Sequence, residues 1–157
     1  MRAVRMRAWV LSGVCAGAVL VPGIAVAAPA PEADLSFHGA AVLDGDQVDV
    51  RLAPRNDGPA AVSDATVRLR WSVPLADRQE LPARCAREDE RTVLCGTGPL
   101  AAAVTGEQLR FPVRLSEGAS EVTLEIDTAW SAGMVDGDRS NDRMTVLLLA
   151  TGDPYTF

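Results

Sequence analysis

The chain has 157 residues, with 15 basic residues, all arginine, against 21 Asp and Glu, and a net charge of −6. A surface this acidic repels phosphate backbones, which argues against nucleic acid and anionic membrane as partners. One histidine and three cysteines offer few metal ligands, so neither a metal nor another cofactor is expected.

Residues 1–27 read as a secretory signal peptide of bacterial type. Arg2, Arg5 and Arg7 form a basic start, an apolar run follows from Ala8 to Val26, and Ala25-Val26-Ala27 supplies the small residues a signal peptidase reads. The run is just long enough to span a bilayer, so a retained anchor is the alternative. Pro22-Gly23 ahead of the cut favours cleavage after Ala27. Val14 directly before Cys15 breaks the lipoprotein pattern, which needs a small residue there. Removal of three arginines leaves 12 against the 21 carboxylates, a net of −9. The remainder, about 130 residues, suits one domain with one core. Cys85 and Cys95 then form an even pair in an oxidising compartment, most simply a disulfide.

Residues 28–33 are expected to be a flexible tail, and from there the apolar period is two. Leu35, Phe37, Ala41 and Leu43 share a first strand, and Asp44-Gly45-Asp46 turns the chain. Val48, Val50 and Leu52 follow, then the breaker cluster Asn56-Asp57-Gly58-Pro59. Val67, Leu69, Trp71 and Val73 point inward on a third strand. A long charged connection over residues 74–91 leads to a short strand ending at Cys95. Leu109, Phe111, Val113 and Leu115 alternate with Arg110, Pro112 and Arg114, and Pro112 marks that strand as an edge. Val122, Leu124 and Ile126 precede Trp130 and a polar turn from Asp136 to Asp142. The last strand carries Met144, Val146 and Leu148 with Leu147 and Leu149 between them, which predicts cover on both faces or a central place.

Short strands with turns every eight to twelve residues predict an all-β fold. The expected architecture is an immunoglobulin-like two-sheet sandwich of about seven strands over residues 34–151, with 152–157 as a C-terminal tail. A closed barrel is the other architecture. In a sandwich the chain crosses between sheets after Leu115, which separates Arg110 from Asp127; a simple hairpin would bring them face to face. The crossing is expected.

Three segments carry a resemblance. They are Asn56-Asp57-Gly58-Pro59-Ala60, Cys85 with Val93-Leu94-Cys95-Gly96-Thr97-Gly98-Pro99-Leu100, and Asp136-Gly137-Asp138-Arg139-Ser140-Asn141-Asp142. Over residues 35–149 the chain resembles the Ig-like repeat of bacterial surface and secreted proteins known as domain of unknown function 11, and more loosely bacterial CARDB domains. It departs at Asn141-Asp142, where that repeat more often has Asn-Asn, at Ala103-Val104, where a glycine is usual, and in having one copy. The resemblance implies an Ig-like fold and an extracellular structural or adhesive role, and it carries over no catalytic or binding residue.

No catalytic set is evident. His38 stands alone in a strand without a Gly-x-Ser-x-Gly elbow, and Glu88-Asp89-Glu90 reads as solvated loop acids. Asp136, Asp138, Asn141 and Asp142 form a candidate calcium turn, although an EF-hand pattern fails after Asp-x-Asp; an Asx-rich hairpin turn explains the same residues. Trp71 belongs in the core, and Trp130, at a strand end, is a candidate ligand-facing aromatic. The expected function is therefore a secreted structural or binding module for a protein or glycan, non-catalytic, monomeric and not membrane-inserted after cleavage. The alternative is a small-molecule carrier of the chromoprotein-apoprotein type, which needs an apolar cleft.

Overall fold

The computed structural model describes residues 31–157, so the expected signal peptide lies outside the described residues. Twelve strands run in chain order: β1 (Glu32–Ala33), β2 (Leu35–Asp44), β3 (Gln47–Asn56), β4 (Thr66–Trp71), β5 (Cys85–Arg87), β6 (Thr92–Gly96), β7 (Val104–Thr105), β8 (Leu109–Arg114), β9 (Glu121–Trp130), β10 (Val135–Asp136), β11 (Arg143–Leu149) and β12 (Pro154–Thr156). They build an immunoglobulin-like sandwich. One sheet has the order β11-β9-β4-β6-β5; in the other β12, β2 and β3 lie side by side, and β7 and β8 share the far side of β3. A small parallel pair, β1 with β10, is set apart.

Alternation explains the layering. Val48, Val50 and Leu52 on β3 and Phe111 and Val113 on β8 face Val67, Leu69 and Trp71 on β4 and Val122, Leu124 and Ile126 on β9 in one core. Successive strand residues point to opposite faces, so these runs can bury only one side. Burial of each large apolar side chain contributes roughly 1.5–3 kcal/mol. A smaller cluster of Ala33, Leu35, Val62, Ala65 and Leu100 closes one end.

The chain does cross between sheets after β8. Arg110 pairs with Arg51, whereas Asp127 lies between Arg68 and Arg143. Pro112 sits opposite Asp49 on β8, an edge strand, where its missing N–H interrupts no further ladder.

Three expectations need correction. The N-terminal tail is ordered at its end: Glu32–Ala33 pairs with β10, and Ala33 is buried. Residues 154–156 form a strand on β2, because Tyr155 and Phe157 have the two-residue spacing that lets both pack against the core. Phe157 and Gly39 exchange backbone hydrogen bonds of 2.9 and 3.0 Å, and a Cβ at Gly39 would lie 1.9 Å from the Arg51 carbonyl oxygen. Finally, β11 is an edge strand. Val146 and Leu148 point inward, but Leu147 and Leu149 are exposed, so its doubly apolar pattern does not reflect cover on both faces.

The expected Cys85–Cys95 disulfide is present. It joins directly opposite residues of neighbouring strands β5 and β6, and so fastens the outermost strand of its sheet.

Candidate functional site: one loop end and the outer face of the five-stranded sheet

All three turn-rich segments meet at one end of the sandwich. Asn56, wholly buried, organises them: its Oδ1 accepts from the N–H of Asp34 and Gly58, and its Nδ2 donates to the carbonyls of Ala60 and Ala101. Gly58 is needed there for closeness, since a Cβ would lie 2.6 Å from the Ala33 carbonyl carbon. Asp34 Oδ1 in turn accepts from Asn141 Nδ2 at 2.8 Å.

The candidate calcium residues are tied into this scaffold. Asp136 accepts from the Leu35 N–H with one oxygen and from the Asp138 N–H with the other. Asp138 accepts from both the hydroxyl and the N–H of Ser140, and these bonds hold its carboxyl below the usual carboxylate range. Asn141 is committed to Asp34 through its amide nitrogen. Asp142 differs from the rest: it is wholly buried, both its oxygens lack a hydrogen bond, and Arg139 Nε stands 3.2 Å away as its counter-ion. Among the described residues, no three His, Cys, Asp or Glu side chains converge as a metal ion would require.

Burial pushes the Asp142 carboxyl up, against the opposing pull of Arg139. A carboxyl whose folded pKa is raised favours the native state most when protonated. Its contribution is full below the unfolded pKa of about 3.9 and is lost as pH rises through the folded value. Asp142→Asn is therefore expected to raise stability at pH 7 by about 1 kcal/mol and to show no gain below about pH 4. Urea unfolding at both pH values measures this, and an equal effect at the two would contradict it.

Trp130 is turned outward by a bulge. The alternation from Val122 to Thr128 would aim residue 130 into the core. The register slips between Thr66 and Val67: Val67 faces Thr128, but Thr66 faces Trp130, leaving Ala129 as the extra residue. Bulges re-aim side chains in this way. Trp130 is 53% exposed, on the same outer face as Thr66 and Arg68. Trp71 is buried opposite Leu124, six residues along β9, so the two tryptophans share no cleft.

That outer face is mixed. Arg68 lies between Asp127 at 3.5 Å and Glu88 at 3.7 Å, while Leu147 and Leu149 stand exposed along β11. Two hollows of about 280 and 370 Å³ on this sheet are lined by Arg70, Ser72, Arg91 and Thr123, and by Asp127, Arg143 and Thr145, with Glu125 in both. A larger hollow of about 730 Å³ lies elsewhere, lined by Gln47, Asp77, Arg78, Gln79, Glu80, Pro112 and Arg114. Trp71 also lines the first of these hollows and Ile126 and Met144 the second, but each of the three hollows carries charged side chains, unlike the mostly apolar cleft that a carrier needs.

His38 is exposed on β2 opposite Ala53. In the acidic loop, Glu88 and Glu90 pair with arginines, and Asp89 is held below the ordinary carboxylate range mainly by the Arg91 N–H. Sequence reading missed Asn56 as an anchor, taking it as one of several turn formers. Its spacing ahead of Gly58-Pro59 was the available signal.

Comparison with protein-family models, curated proteins and solved structures finds no match to this chain.

Proposed function

We propose that the chain is an exported Ig-like module that works by association with an extracellular protein or glycan and performs no catalysis. The observation that carries this reading is the bulge at Ala129, which spends a residue to present Trp130 on an open sheet face. An amphipathic aromatic half in water is a favoured anchor for sugar rings and for protein surfaces. Export is supported by the sequence of residues 1–27 and by the Cys85–Cys95 bond, which suits an oxidising compartment. No helix among the described residues is long and apolar enough to cross a membrane.

Trp130→Ala is expected to leave thermal stability within about 0.5 kcal/mol of the parent, since the side chain is half in solvent. Binding to purified cell-envelope polysaccharide or to envelope protein, read by co-sedimentation, is expected to fall by at least about tenfold, or ~1.4 kcal/mol. Undiminished binding by the variant would move the contact off this face. Intact mass of protein recovered from the medium tests export: it should start at Ala28 and gain two hydrogen atoms when the Cys85–Cys95 bond is reduced to two thiols.

A further inference from the structure

The four lateral edges of the two sheets are not alike. β8 carries Pro112, β12 is three residues long and starts with Pro154, and β5 is three residues long and cross-linked to β6. Each has a recognised guard against strand addition. β11 has seven residues, no proline, and two exposed leucines.

The register shows which of its backbone groups are open. The Ala150 N–H donates to the Ser120 carbonyl, so the even-numbered residues of β11 bond to β9. Antiparallel ladders alternate, so Arg143, Thr145, Leu147 and Leu149 turn their N–H and C=O groups to the outside. Among the described residues these groups have no backbone partner beyond β9, except that the Leu149 carbonyl accepts from the Thr151 N–H.

We propose that this edge is a docking surface for a second copy of the chain, with β11 pairing antiparallel to β11 about a two-fold axis at Val146. The strand is self-complementary in that register. Thr145 faces Leu147 of the second copy and Arg143 faces Leu149, so the one charged residue never meets itself. Leu149 lies beside Glu121 on β9, and Arg143 beside Asp127. Across the joint, each Arg143 stands about 10 Å, two strand spacings, from Glu121 of the second copy, and their long side chains can meet over Leu149. The two five-stranded sheets become one of ten strands, the Leu147 and Leu149 side chains gain neighbours, and the open backbone groups are paired. This goes beyond the proposed binding function, because it does not involve Trp130.

Sedimentation equilibrium of the protein from about 1 to about 500 µM tests it. A reversible dimer is expected. Leu147→Pro removes an outward N–H without breaking the β9 ladder, and Leu147→Lys places a guard charge at the same point. Each is expected to weaken the dimer by at least about tenfold, with amide exchange at Thr145 and Leu147 slowing only in the concentrated parent protein. The Lys variant keeps the test open should the Pro variant fold poorly. A monomer across the whole range would overturn the proposal, including one in which residues 1–30 or a foreign strand occupies the edge. So would a dimer that folded Pro and Lys variants leave undiminished.

Discussion

Asn56→Ala is expected to lower the unfolding free energy by about 3–5 kcal/mol, the largest loss from any single polar side chain in the domain. Asn56 makes four hydrogen bonds from a site with no solvent access. Truncation leaves the Gly58 N–H without its partner in a buried setting, along with the partly buried Asp34 N–H and two carbonyls. Each intact bond contributes about 1 kcal/mol, but an orphaned buried group costs about 1–3 kcal/mol, and these losses are not strictly additive. A whole domain is stable by only about 5–15 kcal/mol, so the variant should sit near the edge of folding. Urea denaturation with tryptophan fluorescence reads this through Trp71. A loss below about 1 kcal/mol would mean that water replaces the amide at no cost. Asn56→Asp separates the roles, since it keeps the two accepting positions and loses both donated bonds.

Loss of the Cys85–Cys95 bond is the second large effect. The cysteines are ten apart in sequence, and closure of so short a loop is worth about 3 kcal/mol in the chain-entropy model. For a domain of this size that corresponds to roughly 10 °C in Tm. β5 is the outermost strand of its sheet and only three residues long, so the bond does most of its fastening locally. The Cys85→Ser, Cys95→Ala double variant should show faster amide exchange in β5 and residues 74–84 than in β4 or β9. β4 and β9 should lose only the protection that the lower global stability takes from them, and a uniform loss would show that the bond does no additional local fastening. Cys95 is better replaced by alanine than by serine, because it is wholly buried and a hydroxyl there would lack a partner.

The sheet partition was legible because period-two alternation depends only on which side of a strand is wet. Val67, Leu69 and Trp71, or Leu109, Phe111 and Val113, announce an inner face wherever the strand ends up. Pro112 announced an edge because a missing donor is a local fact. β11 misled for the opposite reason: Leu147 and Leu149 say that both faces are apolar, and a chain that exposes leucine looks the same as one that buries it. The outer strands β1 and β12 were overlooked since two or three residues carry too little alternation to register. Trp130 stands out in the sequence by its place at a strand end, but the bulge that turns it outward was not legible there. It depends on an extra residue in one strand against its neighbour, and that neighbour's register cannot be read from β9 alone. Of the candidate turn, the Asx chemistry of Asp136 and Asp138 was foreseeable, whereas the burial of Asp142 follows from its place just beyond the Arg143–Asp127 pair.

The bonds that gather the three turn segments also bear on when this end forms. Asn141 to Asp34 spans 107 residues and Asp136 to Leu35 spans 101, whereas β2 and β3 are joined by a two-residue turn. Contacts that close long loops are entropically late, so the β2–β3 hairpin, with Asn56 at its end, can be in place while Asn141 and Asp136 have yet to reach Asp34 and Leu35. A group that forms after the transition state alters the rate of unfolding far more than the rate of folding. In Asn141→Ala, which removes the 107-residue bond to Asp34, the lost stability should therefore appear almost wholly as faster unfolding in stopped-flow kinetics. This end of the sandwich behaves as a latch, and its integrity sets how long a folded molecule lasts.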